Sequence, residues 1–290
     1  MAGTDWTKSF VTILKYKDME KYHQYERVVQ IVKKSIDYRQ DNFDTHAGKE
    51  HISTVLKNAD FLVPSEIKNR WSVDEVFLFL CSIWLHDIGK IRDFDSNLSY
   101  KEILSQHAER SYNFVLKINE KLSLDEKESL IIAYVVKGHT LLDLSELPEK
   151  KGLGIGKAIH IRPLSALLRL ADELDMSYKR VPLIVKELSG ISKNLKWEVR
   201  DSIDGIEINS NMWDIVVYST PNSFETLEAV NNAVEWTNKI IESIRSELRK
   251  ADILYRKIDL NIDDTLLKGI EKKSRKEGDV RSISIFGYEI

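Results

Sequence analysis

The chain has 290 residues, 42% hydrophobic and 31% charged, with 43 basic and 46 acidic side chains for a formal net charge of −3. That content suffices to bury the core of one large domain or two modest ones. The balance gives no strong reason to expect binding to phosphate backbones or anionic membranes; a nucleic-acid partner is unsupported by it but not excluded. Cys81 is the one cysteine, so there is neither a disulfide framework nor a cysteine metal site, and a reducing, cytoplasmic setting is expected. MAGTDWTKSF at the start lacks a basic segment followed by an apolar one. The apolar run Val76 to Leu85 is too short to span a bilayer, so neither export nor membrane insertion is expected.

From about residue 18 to 180 apolar residues recur three and four apart, which predicts helices. In chain order these are MEKYHQYERVVQIVKKSIDY, GKEHISTVLKNADFLV, VDEVFLFLCSIWLHDIG, SQHAERSYNFVLKINEKL, LDEKESLIIAYVVKGH and PLSALLRLADELDMSYKR. Between the last two, KKGLGIGKA lacks the glycine and the hydroxyl residue of a phosphate loop and reads as a flexible loop. Beyond about residue 185 the texture changes. LKWEVRD, GIEINS and WDIVVYST are short β-like runs between turn signals, then comes a long helix from about Ser223 to Leu254, then the strand candidates YRKIDLNI and RSISIFGYE. The reading is therefore mainly α, with a helical domain over residues 1–185 and a smaller α+β domain over 186–290. In the long helix Leu227, Val234, Ile241 and Leu248, with Val230, Thr237, Ile244 and Ala251, form a seam of period 3.5. Such a seam either packs on neighbouring strands of its own chain, the more ordinary outcome, or joins a homodimer or a partner protein through the C-terminal region.

A metal site of nitrogen and oxygen ligands needs inward-facing side chains from several helices. His51 stands four residues before Val55 and eight before Ala59, on a stripe that faces a core. His86 and Asp87 directly follow the apolar run, and Asp172 ends ALLRLAD, where a buried carboxylate is costly unless something positive neutralises it. Singly, each has an ordinary structural explanation: a histidine on an apolar face is more often a hydrogen-bonded core residue, and Asp172 could pair with Arg169 or Lys179. Their combination on at least three helices points to a divalent cation.

The order His51, His86-Asp87, Asp172, with LHDIGK and LRLADELD around them, resembles the H…HD…D signature of the HD phosphohydrolase superfamily over roughly residues 40 to 180. That resemblance implies an HD-type helical bundle in which His51, His86, Asp87 and Asp172 bind one divalent metal. His107 in SQHAERS and His139 in VVKGHT resemble the extra ligands of two-metal HD enzymes, including the HD-GYP phosphodiesterases. The D-G-x-G-Y-P loop of those proteins is missing, so cyclic di-GMP specificity is not implied. One or two metals per chain are expected, and mixed imidazole and carboxylate ligation suits Mn, Fe, Co or Ni, and Mg less well.

The implied activity is hydrolysis of a nucleotide or other small phosphate ester, most readily a phosphodiester, by metal-activated water. Asp87 is then ligand or bridge, His46 the candidate proton donor to the leaving oxygen, and Lys90 and Arg180 the nearest cations for phosphate oxygens. Two other readings stand beside it: an HD-fold sensor or interaction module, and a nuclease component of a multi-subunit, for example defence, complex.

Overall fold

The structure is a computed structural model and describes residues 9–37, 48–91, 98–176, 195–265 and 268. It is mainly α, with a smaller α+β region toward the C-terminus. The helices are α1 (Phe10–Lys17), α2 (Met19–Asp37), α3 (Lys49–Leu62), α4 (Ser65–Arg70), α5 (Val73–Leu85), α6 (Tyr100–Lys117), α7 (Glu126–Lys137), α8 (Ile161–Glu173), α9 (Leu195–Ser202) and α10 (Phe224–Lys250). The strands are β1 (Lys150–Gly154), β2 (Lys157–His160), β3 (Ile203–Asn209), β4 (Asp214–Ser219) and β5 (Ile258–Ile262).

Helix α5 is the axis. Ser72 and Glu75 close a capping box at its start, satisfying N–H groups that would otherwise lack partners. Every residue from Val76 to Leu85 is buried, as expected of a helix apolar on all sides and enclosed by others. Helices α1, α2, α3, α7 and α8 pack around it. It ends at His86, and a short 3-10 turn, Ile88–Lys90, carries the chain away.

Two close approaches set the neighbours of that turn. A Cβ on Gly89 would come within 2.2 Å of the His107 carbonyl oxygen and 2.5 Å of the Ser111 nitrogen, so α6 can lie on the turn because residue 89 has no side chain. The Gly89 N–H donates to Ser111 Oγ at 2.8 Å. At the end of α7, Gly138 leaves similarly little room before Ser165 of α8. The buried Arg169 guanidinium donates to the carbonyls of Gly138 (2.8 Å) and Leu142 (2.7 Å), satisfying carbonyls at and beyond that helix end. Asn58 of α3 donates to the Ala171 carbonyl of α8 at 2.9 Å.

In the C-terminal region β3, β4 and β5 form one sheet in that order, with β3 and β4 antiparallel and β4 and β5 parallel. Helix α10 is the crossover that parallel neighbours require. Its stripe Val230, Val234, Thr237, Ile241, Ile244 and Leu248 is buried within the chain, and the helix packs on α8, α9 and β5.

Several expectations are corrected. KKGLGIGKA is an antiparallel hairpin, β1 with β2, not a flexible loop; Gly156 at φ 73 supplies the left-handed residue of the turn. LKWEVRD is helix α9 instead of a strand. Val199 and the buried Ser202 stand three apart on its inner side, and in so short a run period 2 and period 3.6 are hard to separate. Helices α1 and α4 were not expected, and α6 begins at Tyr100, before SQHAERS, because Ser99 and Glu102 form a capping box. RSISIFGYE lies outside the described residues.

Candidate metal centre

Five helix ends or faces deliver six side chains to one interior region. His51 comes from the first turn of α3, His86 and Asp87 from the end of α5, His107 from α6, His139 from the residue pair after α7, and Asp172 from the last turn of α8. His51, His86, Asp87 and His139 are buried, the His107 side chain is 17% exposed, and Asp172 is 22% exposed.

They divide into two halves. In the first, His51 Nε2 stands 3.1 Å from His86 Nε2, 3.4 Å from Asp87 Oδ2 and 3.2 Å from Asp172 Oδ1. His86 Nε2 is 3.4 Å from Asp87 Oδ2 and 3.8 Å from Asp172 Oδ1. In the second, His107 Nε2 and His139 Nε2 are 3.1 Å apart, each 3.6 Å from Asp87 Oδ1. Asp87 thus offers one oxygen to each half.

The proton positions follow from the outer nitrogens. Nδ1 of His86, His107 and His139 faces the carbonyls of Ile83 (2.8 Å), Leu104 (2.6 Å) and Val136 (2.5 Å). A carbonyl only accepts, so each Nδ1 donates and Nε2 is the nitrogen turned inward, where an unprotonated ring presents its lone pair. His51 Nδ1 donates to Asp175 Oδ2 at 2.6 Å, the carboxylate–histidine pairing that orients metal ligands. Lone pairs facing each other across 3.1 Å repel unless a proton or cation lies between them.

Charge tells the same story. Burial pushes the His51 ring down, but hydrogen bonds to Asp172, Asp175 and Asp87 outweigh it and push its pKa up to about 10. The negative potential that favours a proton there favours a cation equally. Asp87 and Asp172 sit well below the usual carboxylate range: burial raises them, and His86 with Lys90 for Asp87, and His51 with His86 for Asp172, more than reverse it. His107 is pushed down to about 4 by burial and by its neighbour His139, which leaves its lone pair available.

The donor set fits a divalent metal. Nitrogen and oxygen ligands about 2.0–2.2 Å from one cation stand roughly 2.8–3.6 Å from their neighbours, and all the separations above except His86 to Asp172 fall in that range. Two groups of donors meet the geometric requirement: His51 with His86 and Asp87, and Asp87 with His107 and His139. Asp87 Oδ1 is buried with no hydrogen-bond partner among the described residues, an arrangement costly unless something is bound.

All six residues expected as ligands are therefore gathered here. Lys90 Nζ lies 2.6 Å from Asp87 Oδ2, so it neutralises that carboxylate and borders the centre. His46 and Arg180 lie outside the described residues. Sequence reasoning missed Asp175; the available signal was its place in ADELD, three residues after Asp172. It also missed the cavity beside the first half, about 520 Å³, bordered by Lys90, Asp172 and Asp175 on one side and by Val199, Arg200, Asn232 and Trp236 on the other.

Among the described residues no helix is long and apolar enough to cross a membrane. A protein-family model described as HD-CE matches residues 36–250. No curated protein and no solved structure matches the chain.

Proposed function

From the premise that the chain belongs to the HD-CE family, we propose that it is a phosphohydrolase with a two-metal centre, acting on a nucleotide or other small phosphate ester. The reading rests chiefly on one observation: four inward imidazole nitrogens in two facing pairs, with one buried carboxylate directed to both. Divalent metal held there supplies the water activation and the neutralisation of phosphoryl oxygens that ester hydrolysis needs. His51, His86, Asp172 and Asp87 would hold the first metal, and His107, His139 and Asp87 would hold the second. The ligand chemistry favours Mn, Fe, Co or Ni.

The chain's own residues do the rest. Asp175 fixes the His51 ring, and the three backbone carbonyls fix the other rings, so the donors need little reorganisation. Lys90 balances Asp87 and stands at the cavity edge, where it can meet a phosphate oxygen; Arg180 is assigned the same task. In the hydrolysis the water oxygen bonds to phosphorus as the bond to the leaving oxygen breaks, and His46 is assigned the proton that this oxygen takes up. The second pair of histidines supports a phosphodiester as the substrate.

The test is elemental analysis of the purified protein beside Asp87→Ala, followed by a Mn-supplemented screen of nucleotides and generic phosphodiesters. About two metals per chain, with turnover lost in the variant, is the expected result. Near-normal turnover in Asp87→Ala would remove the proposed centre from the reaction.

A further inference from the structure

The cavity beside the first half is larger than a phosphate group requires. At about 520 Å³ it lies within the roughly 300–1,000 Å³ of small-molecule sites. Lys90, Asp172 and Asp175 belong to both cavity and centre, so whatever occupies the cavity borders the donor cluster. Its opposite wall comes from the C-terminal region, where α10 presents Asn232 and Trp236 one turn apart on the same face. Trp236 is 47% exposed, while the adjacent Thr237 on the same cavity wall is buried.

We infer that this cavity selects a nucleoside phosphate, with the base stacked on Trp236, the Asn232 amide reading the base edge, and the phosphate toward Lys90 and Asp172. The inference rests on the phosphohydrolase reading above and adds the substrate class to it. A large indole open to a cavity beside a cation-binding cluster is a platform for a flat π-system, and every nucleobase offers one. Asn carries a donor and an acceptor on one planar group, which matches the paired donors and acceptors on base edges. Lys90 and Arg200, also on the cavity wall, supply positive charge for the phosphate. A base-free phosphate ester would leave the Trp236 side of the cavity unfilled. A long polynucleotide needs a basic groove, and the chain carries a net charge of −3.

The experiment is titration calorimetry on the Mn-loaded full chain with AMP, GMP, CMP and UMP, each compared with ribose 5-phosphate. The expected result is that at least one of the mononucleotides binds about ten-fold or more tightly than ribose 5-phosphate. Trp236→Ala should erase that margin while leaving ribose 5-phosphate unaffected, and Trp236→Phe should keep most of it. Equal binding of all these probes, no binding of any mononucleotide, or a margin that survives Trp236→Ala would overturn the inference. Turnover of bis(4-nitrophenyl) phosphate by the same preparations separates the two readings. A base-dependent margin without turnover upholds the cavity's role and sinks the hydrolase; turnover without a margin does the reverse.

Discussion

The two halves of the donor cluster share Asp87 and differ in almost everything else. The first half has a second carboxylate, Asp172, and a third, Asp175, behind His51. The second half has two imidazoles held by backbone carbonyls and, among the described residues, no carboxylate of its own. One ring of the first is pushed up to about 10 while one ring of the second is pushed down to about 4. A cation therefore meets strong negative potential in the first half and mainly imidazole nitrogen in the second. Tighter retention is expected at the first position and easier exchange at the second.

The largest expected effect comes from removing what the halves share. Asp87→Ala should lose metal from both and lower turnover by about a thousand-fold or more, read by elemental analysis and by rates on a chromogenic diester. If only one metal were lost, the bridge would be wrong. Asp175→Asn keeps the shape but removes the charge behind His51. Turnover or first-half metal affinity should fall by about 10- to 100-fold, with the second half unchanged in a competition titration. His107→Ala should reduce the metal content from about two per chain to about one, and brief dialysis of the unaltered protein against a chelator should reach the same half-loaded state. Equal, simultaneous loss would erase the contrast. The smallest effect is indirect: Gly89→Ala forces α6 off the 3-10 turn, with an expected cost of about 1–3 kcal/mol in thermal or urea denaturation and a loosened His107 side.

The donors were legible because each sits where a local signal is strong. His51 lies on an apolar stripe, His86 and Asp87 end a run with no polar interruption, and Asp172 closes another. Asp175 was not legible, because an acid in ADELD next to a helix end resembles ordinary surface charge until His51 is brought to it. The cavity was hidden for a different reason. Its far wall joins α9, whose eight residues read as a strand, to α10, and no local pattern states which face of a crossover helix will meet a helix 60 residues earlier. The hairpin at KKGLGIGKA escaped because its pairing is made by backbone groups, and three glycines and three lysines leave little side-chain alternation to read.

Chain order adds a consequence for assembly. A ribosome delivers the last side chain of the donor cluster with α8 and the supporting carboxylate at Asp175, whereas Asn232 and Trp236 follow on α10. That helix becomes a closed crossover only once β5 pairs beside β4. Parallel pairing of this kind is among the slower events of folding, since its contacts are distant in sequence. The donor cluster is thus complete in sequence while one side of its cavity has still to be made.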